Sequence, residues 1–200
     1  MRKLFEYGGA AAGVILLAFG IAALVMGSTG LGTVRSNLEQ EQIYFGDAAK
    51  DPTVPQKYSN QLVDNGTEAR AFAEMMRGHT LAQTDGKTYA QMGRFLAANG
   101  KGDDGLGGTN DPAQAVIDPK TGNPTPNPTR NVWVTETALA TALNTAYMAE
   151  RISTFGVVVG IALLLTGVGF LVLALGGALR RRVEATAAAP TAPVGEPILE

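Results

Sequence analysis

The sequence predicts an all-α membrane protein in which two transmembrane helices extend into a helical extracytoplasmic domain made of a helical hairpin and a long irregular loop. Three observations lead there. No Asp, Glu, Lys or Arg occurs from Tyr7 to Val34 or from Ile152 to Leu179, two stretches of 28 residues each. A helix rises about 1.5 Å per residue, so either stretch crosses a hydrocarbon core of roughly 30 Å. The segment between them is polar and is broken by turn signals at helix-sized intervals. A mean hydropathy of +0.07 and a net charge of −2 average over these contrasting parts and conceal them.

Residues 1–6 form a short N-terminus carrying Arg2 and Lys3, and residues 7–33 form the first span. A secretory signal peptide has the same charge pattern, but its apolar region is usually about 7–15 residues long and is followed by an Ala-x-Ala-like site. Here the apolar run is longer and only Ser28-Thr29-Gly30 offers small residues, so an uncleaved anchor is expected. Residues 152–179 form the second span, closed at once by Arg180, Arg181 and Arg182. Short basic flanks favour the cytoplasm, which puts both termini inside the cell membrane and residues 34–151 outside it. Residues 180–200 are expected to be a disordered cytoplasmic tail, since the chain beyond Val183 is rich in Ala, Pro and Thr.

Both spans carry glycines four residues apart, Gly9 with Gly13 and Gly156 with Gly160. Such pairs let helix backbones approach closely, and pairing of the two spans within one chain is expected ahead of a homodimer. Neither span holds an ionisable residue, which argues against a proton relay or ion pathway in the membrane.

In the middle domain, residues 34–45 are expected to prolong the first helix, with Gly46 as its stop. Asp51-Pro52 and Pro55 break regular structure, because proline lacks the N–H and restrains its predecessor. Thr67 opens a helix with Ala69, Phe72, Ala73, Met76 and Leu81 on its apolar face, ended by Asp85-Gly86. Tyr89, Met92, Phe95 and Leu96 predict a second helix over 88–98, completing a hairpin. Residues 101–130, with repeated glycines and prolines, predict a mobile or extended loop outside the core. Asn131 or Thr129 is expected to cap a last helix that carries Trp133, Leu139, Leu143 and Tyr147 and runs unbroken into the second span. No alternating apolar run is long enough for a sheet.

Composition removes several classes of chemistry. The chain has no cysteine, hence no disulfide, thiolate zinc site, iron–sulfur cluster or cysteine nucleophile. From Arg35 to Arg151 there are 11 Lys and Arg against 14 Asp and Glu, so there is no basic patch for nucleic acid. His79 is the only histidine, with Met75 and Gln83 one helical turn away, and reads as a surface or interface residue. Asp103-Asp104-Gly105 and Asn110-Asp111 suggest calcium, but position 12 counted from Asp103 is Gln114, so a solvated loop is expected. The glycine-rich stretch lacks the Lys-Ser/Thr of a phosphate loop, and no Gly-x-Ser-x-Gly occurs. Asn65-Gly66-Thr67 is a formal glycosylation sequon. No catalytic residue, cofactor site or metal site is expected.

Several segments carry a resemblance: Met1-Arg-Lys-Leu-Phe-Glu-Tyr-Gly8, Glu39-Gln-Glu-Gln-Ile43, Ala69-Arg-Ala-Phe-Ala-Glu74, Lys87-Thr-Tyr-Ala-Gln-Met-Gly-Arg-Phe-Leu96, Asn131-Val-Trp-Val-Thr-Glu-Thr-Ala-Leu139 and Val158-Val-Gly-Ile-Ala-Leu-Leu-Leu-Thr166. The chain resembles a family of small actinobacterial two-span membrane proteins of uncharacterised function. The resemblance implies a topology and a bacterial host, not an activity. Similar sequences sometimes bear the label of an aromatic ring-opening dioxygenase subunit. That iron site needs at least two histidines with a carboxylate, and His79 stands alone. Some relatives carry ectodomain cysteines, so a role resting on a disulfide does not carry over.

The expectation is therefore a non-catalytic accessory or scaffold subunit. Its partners are the lipid bilayer and another membrane or envelope protein, and a homo-oligomer is also open. The alternative is a ligand-binding or sensing ectodomain for a cell-envelope component. The candidate surface is Phe72, Met76, Phe95, Trp133 and Tyr147. A cleft lined by Phe72, Met76 and Phe95 would favour the alternative, and a filled core there would oppose it.

Overall fold

The computed structural model describes the backbone of residues 2–187 and the side chains of residues 6–176. Three α-helices dominate: α1 (Arg2–Gln40), α2 (Gly66–Gln83) and α3 (Pro128–Ala187). Two strands of two residues, β1 (Phe95–Leu96) and β2 (Gly108–Thr109), pair antiparallel between α2 and α3. Single 3-10 turns occupy Gln56–Tyr58, Tyr89–Gln91 and Pro112–Gln114. The chain divides into two compact units, one formed by the chain up to Ser28 and from Thr154 onward, the other by Thr29–Ser153.

The first unit contains the apolar parts of α1 and α3, both long and apolar enough to cross a membrane, with peak mean hydropathies of 2.4 and 2.7. Only 11% of each of those windows is buried, whereas the core helix of a soluble protein would be mostly covered. Phe19, Leu165 and Leu173 are among the large apolar side chains left exposed. The buried positions are small residues seven apart, Gly13, Gly20 and Gly27 on α1 and Gly160 and Gly167 on α3. A Cβ at Gly13 would lie 2.9 Å from the Gly167 carbonyl oxygen, and one at Gly20 2.9 Å from that of Gly160. The two backbones touch there, as small residues permit in membrane helices. The tightest contacts recur every seven residues, and each of the four glycines expected to pack meets the other helix. Gly13 and Gly160 are contact positions, while Gly9 meets the Ala174 Cβ at an ordinary 3.8 Å and Gly156 lies 3.6 Å from the Gly27 Cα. A repeat of seven keeps one stripe facing a neighbour along the whole helix, which a single four-residue pair does not.

α3 continues to Ala187, past the expected boundary at Leu179, so residues 180–187 are helical rather than disordered. Arginine, alanine and glutamate there are good helix formers. The expected disorder of residues 188–200 lies outside the described residues, as do the side chains of Arg2, Lys3, Arg180, Arg181 and Arg182.

In the second unit, α1 ends at Gln40 rather than at Gly46. Gln42 takes a left-handed φ of 51° and its side-chain amide donates to the Glu39 carbonyl at 2.6 Å, closing the helix end. The core is filled. Phe45 stacks on Tyr58 at 5.0 Å and meets Phe72 edge-on at 5.3 Å, among Val34, Leu38, Val63, Ala69, Ala73 and Leu143. α2 is capped by Asn65, whose side-chain oxygen accepts from the Glu68 amide at 3.0 Å. Thr67, the expected cap, instead accepts from Arg151 at 3.0 Å. Gly66 packs against α3, where a Cβ would lie 2.7 Å from the Tyr147 Cα, and its amide donates to Glu150 at 2.7 Å.

The expected second helix of the hairpin is not formed. Residues 88–98 hold one 3-10 turn and β1. Phe95 pairs with Thr109, the Leu96 amide donates to the Thr125 carbonyl at 2.9 Å, and the Val116 amide donates to the Leu96 carbonyl at 2.8 Å. Long-range ladder bonds override an apolar spacing that fits a helix. Gly93 makes this register workable, since a Cβ there would collide with the Gly108–Thr109 backbone. The 101–130 segment is irregular as expected, but it is hydrogen-bonded throughout and contributes buried Thr109, Ala115 and Asn127. α3 starts at Pro128, with the Asn127 side-chain oxygen accepting from the Thr129 amide at 3.1 Å, so the cap lies two residues before Thr129 and four before Asn131.

Candidate functional site

Among the hollows of the second unit is one of about 430 Å³ lined from within residues 116–126 alone. Two others lie between helical segments and are candidates, and the larger of these is an open groove of about 410 Å³ between residues 34–43 and 139–149. Val34, Leu38, Ile43 and Leu143 form its apolar wall, and Asn37, Glu41 and Thr145 supply polar groups. This volume falls within the range of about 300–1,000 Å³ that small-ligand sites occupy. Leu139 remains 40% exposed on its lip.

The smaller is a pocket of about 210 Å³ between α2 and α3, lined mainly by polar residues. Glu136 is 5% exposed and accepts one hydrogen bond, 3.3 Å from the Thr137 hydroxyl. Across the lining stands Arg77, whose guanidinium lies 5.3 Å from the centre of the Trp133 ring. Glu74, also in the lining, is engaged by Arg70 at 2.9 Å.

The five residues expected at the surface are dispersed. Trp133 is 2% exposed and donates from its indole nitrogen to the Lys87 carbonyl at 3.0 Å, which leaves it no surface to offer a partner. Phe72 and Met76 pack on the filled core. Phe95 sits in β1, apart from them, and Phe72 packs edge-on against Phe45 in the core rather than facing a cleft shared with Met76 and Phe95. Tyr147 is half-buried between Arg151 and Arg70, whose guanidinium carbons lie 4.9 and 5.1 Å from its ring centre. Arg151 foremost, and Arg70 after it, hold its phenol below the usual tyrosine pKa.

His79 fastens α2 to the 51–54 turn. Its Nε2 lies 2.6 Å from the Thr53 hydroxyl and 3.2 Å from Asp51. Hydrogen bonds from Thr53, with His79 adding to them, lower the pKa of Asp51. The Asp103–Asp111 stretch is a structural staple rather than a solvated loop. The Asp104 carboxylate accepts from the Gly93, Leu106 and Gly108 amides, each at 2.8 Å, and Asp103 accepts from the Thr109 hydroxyl at 2.6 Å. Burial opposes the Asp104 charge most strongly, yet the amide donors together hold its pKa below the ordinary carboxylate value. These oxygens are committed to N–H and O–H donors, and among the described residues no three His, Asp or Glu side chains converge as metal ligands.

The residue that the sequence reading missed is Glu136. It lies on the stripe of Trp133, Ala140 and Leu143, three, four and seven residues away at helical spacing. An acid on the apolar face of an amphipathic helix is the sequence sign of a buried carboxylate. No family model, no curated protein and no solved structure matches the chain.

Proposed function

We propose that the chain is a non-catalytic integral membrane protein, an accessory or scaffold subunit whose extracytoplasmic domain offers the 34–43/139–149 groove to an apolar segment of another membrane or envelope protein. The groove carries this reading: its wall is apolar, its rim polar, and it runs beside the core residues Val34, Leu38 and Leu143. The exposed apolar faces of α1 and α3 suit lipid rather than water. Arg2, Lys3 and Arg180 to Arg182 lie beyond the uncharged stretches and favour cytoplasmic termini. The resemblance to small actinobacterial membrane proteins supports the same topology.

Purification from membranes in mild detergent tests the scaffold reading. A stoichiometric partner is expected with the native chain and lost with Ala142→Arg, which places a charge in the groove lining. Recovery of the monomer alone, under conditions that preserve known complexes, contradicts it. A second reading, a ligand-binding or sensing ectodomain, draws support from the pocket beside Glu136.

A further inference from the structure

Glu136 is a carboxylate that is 5% exposed, and its hydrogen bond is a 3.3 Å contact from the adjacent Thr137 hydroxyl. Among the described residues no buried side-chain oxygen lacks a partner, so the carboxylate oxygen that Thr137 leaves free faces the open pocket, where water or a ligand can meet it. Arg77 lines the same pocket, and among the described residues its only side-chain partner is the Trp133 ring, with no ion pair. Glu74 is already neutralised by Arg70. The pocket therefore keeps one negative and one positive group that do not satisfy each other. Thr141 and Asn144 add polar atoms. Asn144 gives its amide N–H to the Ala140 carbonyl at 2.8 Å and so retains its side-chain oxygen as an acceptor. A plain cation would leave Arg77 opposed, and a plain anion would meet Glu136. A molecule carrying both charges matches both walls. The hollow is open to solvent and its volume of about 210 Å³ lies below the roughly 300–1,000 Å³ of drug-sized sites, which suits a compact ligand.

We propose that this pocket binds a small zwitterion of the amino-acid class, with its ammonium on Glu136 and its carboxylate on Arg77. The site is separate from the groove, and the inference does not rest on the scaffold reading.

The test uses the full chain in lipid nanodiscs and follows its thermal unfolding with glycine, L-alanine and L-serine as probes. Methylammonium and acetate serve as half-ligands. At least one of the three amino acids is expected to raise the unfolding temperature saturably, with the half-ligands weaker by about tenfold or more. Glu136→Gln is expected to abolish the response while leaving the ligand-free unfolding temperature equal or higher, since it removes a buried charge. A merely structural Glu136 gives the opposite pairing, a lower unfolding temperature with the response retained, and that overturns the proposal. So does the lack of a saturable shift from all three amino acids, or equal shifts from the half-ligands. Should Glu136→Gln fail to fold, the exposed Asn144→Trp, which fills the pocket, decides the matter: loss of the response upholds the proposal and its persistence overturns it.

Discussion

Asp104 and Glu136 show how differently two partly or wholly covered acids are treated in one small domain. Three amides converge on Asp104, and one marginal hydroxyl contact serves Glu136. The first arrangement is complete and structural, and the second leaves capacity for a partner. Asp104→Asn turns an acceptor-only group into one with donors that face the Gly93, Leu106 and Gly108 amides. The expected cost is about 1–3 kcal/mol, the scale of leaving buried donors unmatched. Hydrogen exchange should show those three amides opening faster, and unchanged exchange would exclude the staple. The pKa values of Asp51 and Asp104 are lowered in the folded state. Their contribution to stability is therefore present above the unfolded aspartate pKa of about 3.9 and is lost as pH falls through the folded values. Acid should loosen the 93–109 region and the Asp51–His79 tie first, seen as early loss of their amide signals. Asp104 was visible in the sequence only as part of an acidic run. Its role depends on three amides distant from it in the chain or held by tight turns, which spacing does not reveal.

At the scale of elements, the helices were legible and the short strands were not. Hydrophobic length and periodicity locate α1, α2 and α3, because those signals are local, whereas the caps lie at Asn65 and Asn127 and α1 ends at Gln40 rather than at Gly46. Residues 88–98 carry an apolar spacing compatible with a helix, and only pairing with Thr109, Thr125 and Val116 turns them into an extended strand. The contacts between α1 and α3 sit at the same boundary of legibility. The glycines are plain in the sequence, but their working spacing of seven emerges only once the helices are side by side. Cysteines introduced by Gly9→Cys and Ala174→Cys should form a disulfide on mild oxidation. The Cβ positions are 3.8 Å apart, the mean for such bonds, and the chain has no cysteine to compete. Adding Gly20→Leu should suppress that bond by pushing the Gly160 backbone away. Bonding at an unchanged rate would contradict the glycine contact. At the ends of elements, Asn65→Ala should cost about 0.5–2 kcal/mol through loss of a cap, and Asn127→Ala should cost more, because its buried side chain also donates to the Gly93 carbonyl at 2.9 Å; denaturant unfolding measures both.

At the scale of the molecule, the division into an apolar two-helix unit and a polar middle unit follows from charge alone. What charge does not disclose is how the middle unit fills its core and where it leaves space. Phe72, Met76 and Trp133 look like surface candidates in sequence because an aromatic on a helix face serves burial and binding equally well. The groove arises where small residues such as Ala142, Ala146 and Ala149 line α3, and small residues leave space without announcing it. Topology can be checked with the single variant Lys120→Cys, on an exposed turn. A membrane-impermeant maleimide should label it on intact cells, and labelling only after lysis would invert the orientation. The most direct test of the central claim is site-specific photocrosslinking in living cells, with the photoreactive residue at Ala142 in the groove and, as control, at exposed Asp85. One discrete protein adduct is expected from position 142 and none from 85. No protein adduct at 142, or the same adduct from both positions, would contradict a groove that serves a partner.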